Sequence, residues 1–239
     1  MRKKILLYLC TILGMLVLAY AYVPQVLDGR IVNQSDISGW QGMSKEMMDW
    51  NAAHPDDPTA WTESMFGGMP TATIHAPTDG DWTQKIYDFL LTGRRPATYL
   101  FISMLGAWLL MLAFGVHPLV AVGGAVAMTF CSYNLQIIQV GHNTKMQAIA
   151  FLPWVLAALV YTYDAALKKK RWLPWCAFGA AMFALFVSFQ VKANHPQITY
   201  YLAIMIVLYA LMLLVWLLWR RERRGLLGRF FAASGLLLV

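Results

Sequence analysis

Residues 198–219 are ITYYLAIMIVLYALMLLVWLLW, and the basic stretch RRERR follows directly at residues 220–224. The apolar run carries no charged side chain, and it matches the roughly 20 residues that a helix needs to cross a bilayer. In lipid, a spanning backbone satisfies its hydrogen bonds only within a helix or a closed barrel. The run therefore predicts a transmembrane helix that ends at a cluster of arginines.

Other apolar runs predict the same kind of helix. They occupy residues 5–23, 97–115, 119–133, 146–163 and 173–190. A last run at residues 230–239 is too short to span, so we expect the sequence to be a fragment of a longer protein. Only 13% of the residues are charged, whereas soluble domains carry about 25%. We therefore predict an all-α membrane protein, a polytopic helical bundle of about six spans plus a truncated seventh.

Three basic clusters predict which side of the membrane each connection occupies. They lie at residues 2–4, 168–171 and 220–224, and each flanks an apolar run. With the N-terminus in the cytoplasm, alternation of the spans places all three clusters inside, where Lys and Arg are enriched. The same alternation places outside the segments 24–96, 134–145 and 191–197. The net charge of +7 is therefore a topology signal, and nucleic acid is not an expected partner.

Residues 24–96 are the longest polar segment and hold most of the chain's 12 acidic residues. Residues 40–51 and 82–91 have the composition of short amphipathic helices that lie at a bilayer interface. The rest of the segment is too irregular to indicate a separate domain. The predicted organisation is a first transmembrane helix at residues 1–23, an extracytoplasmic loop with juxtamembrane helices at 24–96, and a transmembrane bundle at 97–239.

Two polar inserts on the outer side each combine a lysine, a histidine and an asparagine. They are GHNTK at residues 141–145 and KANHPQ at residues 192–197. An outer cation opposes the charge bias and is costly unless it faces a cavity or an anion, such as the phosphate of a lipid carrier. Lys supplies charge to such a phosphate, and Asn, Gln and His supply hydrogen bonds. The candidate binding residues are His142, Asn143, Lys145, Lys192, Asn194, His195 and Gln197.

The alternative for these residues is that they snorkel to the interface or cap loops. Trp40 on the predicted interfacial helix and Arg94 at an outer helix end complete the candidates for substrate binding. The stretch WTESMFGGMP at residues 61–70 either stacks on a sugar or packs on the membrane. The histidines and cysteines lack the spacing of a metal motif, so no cofactor is expected and a divalent metal is not indicated.

Asp36 lies soon after the first span, in the predicted outer loop. A carboxylate at this position can act as a general base that deprotonates an acceptor hydroxyl at the membrane surface. The alternative is an Asx-turn or an N-cap of the following helix. Residue type and position alone favour the structural role.

Four motifs follow one another between residues 28 and 201. They are NQSD at residues 33–36 with Trp40, WTESMFGGMP, GHNTKMQAIAFLPW from residue 141, and NHPQITYY from residue 194. In this order they resemble the YfhO family of bacterial membrane proteins, in the form found in Bacteroidetes-type bacteria. Members of that family are much longer, which agrees with the short last run.

The resemblance implies a glycosyltransferase of the GT-C superfamily and a GT-C-like fold. Such enzymes take a sugar from a polyprenyl phosphate on the outer face, and an acidic residue of the first outer loop is catalytic. Asp36 matches that position. The resemblance also makes Lys145, Lys192, His142 and His195 candidates for binding the donor phosphate. Many members carry paired acids in this loop, whereas this chain has one, so metal dependence does not carry over.

We therefore expect an integral membrane glycosyltransferase on the extracytoplasmic face of the bacterial inner (cytoplasmic) membrane. Its partners are a lipid-linked sugar donor, a cell-envelope glycan or lipid acceptor, and membrane lipids. The alternative is a lipid or polysaccharide transporter of flippase type, which should carry ionisable groups near mid-membrane. The predicted spans are nearly free of charge, which favours surface chemistry. A third interpretation, a structural assembly protein, leaves the lysine-bearing inserts unexplained.

Overall fold

The computed structural model describes residues 2–74 and 82–238, and 79% of it is helical. The α-helices are α1 Arg2–Tyr22, α2 Ser35–Ala53, α3 Trp82–Leu90, α4 Ala97–Ala113, α5 Pro118–Thr129, α6 Ser132–Val140, α7 Asn143–Lys168, α8 Trp172–Lys192, α9 Pro196–Trp219 and α10 Leu227–Leu238. Short 3-10 helices lie at Pro24–Val26, Thr71–Thr73 and Arg221–Leu226. Strands β1 Trp61–Thr62 and β2 Met69–Pro70 pair as an antiparallel hairpin. The predicted helical class is confirmed.

Several of these helices are suited to a membrane. In the described residues, four are long and apolar enough to cross one, namely Lys3–Tyr22, α7, α8 and α9. A fifth crossing results if α5 and α6, which are bent by 47° at their junction, form one span. The predicted number of spans stays a prediction, because α4 and α5 are each shorter than the roughly 20 residues that cross a bilayer.

The junction of α5 and α6 interrupts the run at residues 119–133, which the sequence predicts as one helix. Cys131 is extended there, with φ −61° and ψ 146°. A helix end leaves carbonyl groups without helical partners. The buried side chain of Asn134 satisfies two of them, since it donates to the carbonyls of Met128 at 3.0 Å and Thr129 at 3.2 Å. The predicted outer insert therefore begins with a helix, α6.

Helix α7 lies at the centre of the bundle, between α4 and α8. In its most apolar 18-residue stretch 78% of the residues are buried, against 11% for α9. Glycines permit the close packing. A Cβ added at Gly106 of α4 would lie 2.3 Å from the indole of Trp154, and one at Gly179 of α8 would lie 2.4 Å from the hydroxyl of Thr162. Helix α9 instead exposes apolar side chains along much of its length, a surface that lipid can solvate.

The two ends of the bundle differ in chemistry. We call the end that carries residues 24–74 and 82–96 and the α6–α7 and α8–α9 turns the polar end. Asn194 in the α8–α9 turn donates there to the carbonyl of Ala72 at 3.0 Å. The opposite, basic end carries the clusters at residues 168–171 and 220–224. Helix α7 has 26 residues. At 1.5 Å per residue it is about 39 Å long, more than the hydrocarbon thickness of a bilayer.

Both predicted helices of the long loop are present. Helix α3 agrees with its predicted bounds to within one residue, whereas α2 begins at Ser35, earlier than predicted. The early start places Asp36 in the first turn of α2. Helix α3 is fixed to the bundle because the Tyr87 hydroxyl donates to Gln147 Oε1 at 2.7 Å, and Gln147 Nε2 donates to the Tyr99 hydroxyl at 2.9 Å.

The stretch WTESMFGGMP forms the β1–β2 hairpin, which is fixed to α2. The Glu46 carboxylate accepts hydrogen bonds from the Thr62 hydroxyl at 2.6 Å and the Ser64 backbone N–H at 2.8 Å. These hydrogen bonds, that of Thr62 above all, hold the pKa of Glu46 below its usual range. Trp61 on the hairpin is exposed, and its role on a sugar or on the membrane stays a prediction.

Candidate functional site

Asp36 and His142 meet at the polar end. Asp36 lies in the first turn of α2, and His142 directly precedes α7. Asp36 Oδ2 lies 3.2 Å from His142 Nδ1, and the two side chains are 42% and 48% exposed. The structure therefore joins two candidates that are far apart in the sequence, in a pair that a substrate can reach.

The carboxylate of Asp36 does not cap its own helix. The N-cap of α2 is Gln34, and no side-chain capping hydrogen bond forms there within the described part of the chain. Asp36 stands near the positive end of the helix dipole, which favours a carboxylate. The geometry therefore does not support an N-cap role for Asp36.

A glycine turn and an amide pair hold Asp36 against His142. Gly141 has φ +112°, and a Cβ there would lie 3.0 Å from Gln34 Cβ and 3.2 Å from Asp36 Cβ. The side chains of Gln34 and Asn143 exchange two hydrogen bonds, of 3.3 and 3.1 Å. The start of α2 is thereby fastened to the α6–α7 turn.

Lys145 and His195 lie close to this pair. Lys145 follows His142 by about one turn of α7, and its ammonium group lies 5.2 Å from the centroid of the Tyr133 ring. His195 directly precedes α9, and its pKa is lowered by burial and then by the charges of Lys145 and His142. His195 Nε2 is buried and has no hydrogen-bond partner among the described residues. The structure therefore brings Lys145, His142 and His195 into one neighbourhood with Asp36.

Lowering the pH from about 7.5 to about 5.5 is expected to destabilise the protein through His195. The pKa of His195 is lower in the folded chain than in the unfolded chain, where it lies near 6.5, so the unfolded state binds the proton preferentially. This contribution to stability is fully present above about pH 6.5 and declines as the pH falls below it. Thermal unfolding of the wild type and of His195→Gln measures the effect. The variant should lose less Tm between the two pH values, and equal losses would contradict the assignment.

Other predicted site residues make hydrogen bonds that serve the local fold. Trp40 Nε1 donates at 2.8 Å to the backbone carbonyl that follows the second 3-10 helix. Asn194, which has φ +51°, donates to a carbonyl within that 3-10 helix, and Gln197 donates to a tyrosine hydroxyl one turn further on at 2.9 Å. Lys192 occupies the last turn of α8 at the same end. Substrate binding by these four stays a prediction.

Arginines line a cleft of about 850 Å³ at the polar end. They are Arg30, Arg94 and Arg95, and none of the described residues that line the cleft is acidic. Arg94 Nη1 donates to the carbonyls of Val26 and Leu27, the latter at 2.7 Å. These hydrogen bonds attach the start of the long loop to the segment that directly precedes α4. The predicted candidate Arg94 is therefore partly structural, while the cleft as a whole is positively charged.

Polar and apolar side chains complete this arginine cleft. They include Asn33, Gln34, Asn143, Ile31, Val32 and Ile37. Gln34 and Asn143 belong both to the cleft wall and to the amide pair next to Asp36, so the cleft adjoins the Asp36–His142 pair. Guanidinium groups match the oxygen geometry of a phosphate, and the apolar side chains suit a hydrocarbon chain. The arrangement can hold an amphiphilic anion.

Sequence reasoning missed Arg30 and Arg95 as site residues. Arg95 carried a signal, because two adjacent arginines at an outer helix end oppose the charge bias. Arg30 is a single cation in a polar loop, and nothing in the neighbouring sequence indicates a binding site. Arg30 lines the cleft because the tertiary fold brings the start of the long loop beside the residues that precede α4.

Within residues 2–74 and 82–238, no group of three or more His, Cys, Asp or Glu side chains is placed to hold a metal ion. Comparison of the chain with protein-family models, with curated proteins and with solved structures finds no match. The resemblance to the YfhO family therefore stays a prediction, and the geometry of the polar end carries the functional argument.

Proposed function

We propose that this chain is part of a membrane glycosyltransferase that takes its sugar from a polyprenyl-phosphate carrier at the polar end. The observation that carries the proposal is the Asp36–His142 pair beside the arginine cleft. A glycosyl transfer needs an anion site for the phosphate leaving group and a proton acceptor for the attacking hydroxyl. The two parts lie side by side here.

The chemistry of the arginine cleft supports a lipid-linked phosphate as the ligand. Arg30 and Arg95 supply positive charge and forked N–H donors, which suit phosphate oxygens. Ile31 and Val32 offer apolar surface for the first units of a prenyl chain. Lys145 extends the positive region toward the proton-accepting pair.

The charge distribution supports an extracytoplasmic position for the polar end. The basic end carries the clusters at residues 168–171 and 220–224, and such clusters are typical of cytoplasmic loops. The proposed membrane is the bacterial inner membrane, as the family resemblance implies. The acceptor is then a glycan or lipid of the cell envelope.

The placement of ionisable groups favours this proposal over a transporter. A transporter is expected to carry such groups near the middle of its spans. In α7, Lys145 lies near the polar end, while Asp164 lies near the basic end, where it pairs with Lys168 at 2.7 Å. Lys192 lies in the last turn of α8. These groups therefore lie near membrane surfaces.

An assay on the full-length protein in liposomes tests the proposal. Radiolabelled sugars on polyprenyl monophosphate or diphosphate are offered, and the release or transfer of sugar is measured. We expect turnover with the wild type and its loss in Asp36→Asn. Asp49→Asn is the matched control, because Asp49 is also an exposed carboxylate of α2 and pairs with Lys45 at 2.7 Å. Intact donors of both classes, together with movement of the carrier across the bilayer, would favour a transporter.

A further inference from the structure

We infer that His142, and not Asp36, accepts the proton of the attacking hydroxyl, and that Asp36 is the residue that positions it. The inference rests on the proposed function and deepens it, because it divides the roles within the pair. Two observations carry it: the ring nitrogen that faces the carboxylate, and the exposure of the His142 side chain, whose other ring nitrogen has no hydrogen-bond partner among the described residues.

The carboxylate of Asp36 faces His142 Nδ1 at 3.2 Å. An ionised carboxylate can only accept, so Nδ1 carries the hydrogen and the neutral ring has its lone pair on Nε2. Nε2 forms no hydrogen bond within the part of the chain that the structure describes, and the His142 side chain is 48% exposed. The basic nitrogen of the pair is therefore available to a substrate.

Asp36 has the surroundings of a positioning group. Its Cβ lies against the Gly141 turn, and one carboxylate oxygen faces the imidazole. A carboxylate in this position fixes the tautomer and orientation of the ring, and it stabilises the imidazolium that forms, without taking the proton itself. The same division of roles recurs on unrelated folds wherever an acid, an imidazole and a hydroxyl line up.

The charged side chains near His142 are the carboxylate of Asp36 on α2 and the ammonium group of Lys145 on α7. His195 lies close as well, but its lowered pKa keeps it neutral at neutral pH, so that it adds no positive charge. The carboxylate is therefore the group in direct contact that offsets the charge of the protonated ring.

The proton transfer belongs to a balanced displacement. The acceptor oxygen forms a bond to the anomeric carbon while the bond between that carbon and the phosphate oxygen breaks. The electron pair of the broken bond leaves with the polyprenyl phosphate. The hydroxyl proton moves to His142 Nε2, and the imidazolium later releases it to water. The arginine cleft holds the phosphate as its negative charge grows.

Kinetics of full-length variants test the division of roles. His142→Gln is expected to lower kcat by about 100-fold or more and to change the KM for the donor by less than about threefold. Asp36→Asn is expected to lower kcat with the same unchanged KM, and Asp36→Glu to recover part of the loss. Asp49→Asn and His117→Gln are the controls, and both should keep the wild-type kcat. His117 is an exposed histidine that precedes α5, at the end of α4 remote from the pair.

Chemical rescue separates a base from a structural partner. Imidazole added to His142→Ala should restore turnover. Among substituted imidazoles of similar size, the restored rate should rise with the basicity of the ring, as expected for proton transfer in the rate-limiting step. A ring that only fills the space beside Asp36 would restore the same rate whatever its basicity.

The outcomes separate this inference from the proposed function. A His142→Gln variant that unfolds at the wild-type temperature and keeps kcat within about threefold, while Asp36→Asn is inactive, makes Asp36 the base and overturns the inference. Rescue that does not depend on basicity overturns it as well. A wild-type protein that transfers no sugar from any polyprenyl-phosphate donor overturns the proposed function, and the inference with it.

Discussion

Replacing Gly141 with alanine is expected to reduce sugar transfer by about tenfold and to lower the Tm. With φ +112°, the backbone here disfavours a side chain by about 1 kcal/mol or more. The added Cβ would also lie 3.0 Å from Gln34 Cβ and 3.2 Å from Asp36 Cβ. Both are first side-chain atoms, so the clash is relieved only if the start of α2 moves. The contacts require a shift of a few tenths of an ångström. Because a displacement of about 1 Å at a reacting group costs about 100-fold in rate, this smaller shift should cost about tenfold.

Gly115→Ala is the matched control for this prediction. Gly115 also has a positive φ, +81°, but a Cβ there would meet open space. The control should therefore show the backbone strain without the clash, as a lower Tm with unchanged transfer. The transfer assay and thermal unfolding of both variants give the comparison. Equal losses of sugar transfer in Gly141→Ala and Gly115→Ala would show that the contact between the Gly141 turn and α2 does not affect the transfer rate.

Arg30→Gln and Arg95→Gln are each expected to weaken the binding of polyprenyl phosphate by about tenfold or more. A hydrogen bond to a charged partner contributes about 1.5–3 kcal/mol, and a factor of ten corresponds to about 1.4 kcal/mol. The binding of the wild type should weaken as salt is added, and the variants should show less of this dependence. Binding to the protein in nanodiscs at two salt concentrations, with an uncharged prenyl alcohol as the comparison ligand, measures both effects.

Two other arginine variants make this test specific. Arg94→Gln should lower the Tm as well as the affinity, because Arg94 Nη1 donates to the backbone carbonyls of Val26 and Leu27. Arg171→Gln at the basic end should change neither. Unchanged affinity in the Arg30 and Arg95 variants would move the donor phosphate away from the cleft, toward Lys145 and the residues predicted from the two lysine-bearing inserts.

The long helices and the two chemically different ends could be predicted from the sequence. Helices α8 and α9 are continuous apolar runs of spanning length, and burial in lipid leaves helix as the way to satisfy their backbones. The basic clusters separate one end from the other because Arg and Lys are costly in the hydrocarbon core. Both signals lie within short stretches of the chain, so they can be recognised in a single sequence without knowledge of the tertiary contacts.

The rest depends on particular side-chain contacts that the apolar runs and the charge clusters do not encode. The kink between α5 and α6 is stabilised by one side chain, Asn134, which satisfies the carbonyls freed by the break. Asp36 and His142 could each be nominated from residue type and position, but their pairing needs the Gly141 turn and the early start of α2. The contribution of Arg30 to the cleft depends on the packing of the long loop against the start of α4, which no sequence pattern indicates.

The Gln34–Asn143 pair is neutral, and neither amide titrates in the range where proteins are folded. Its two hydrogen bonds are therefore the same before, during and after a proton reaches the neighbouring imidazole. His142 can then gain and lose a proton beside the ionised Asp36 without loosening the attachment of α2 to α7. The side chains that attach α2 to α7 are therefore not the ones that take up and release the proton, and each turnover begins from the same geometry.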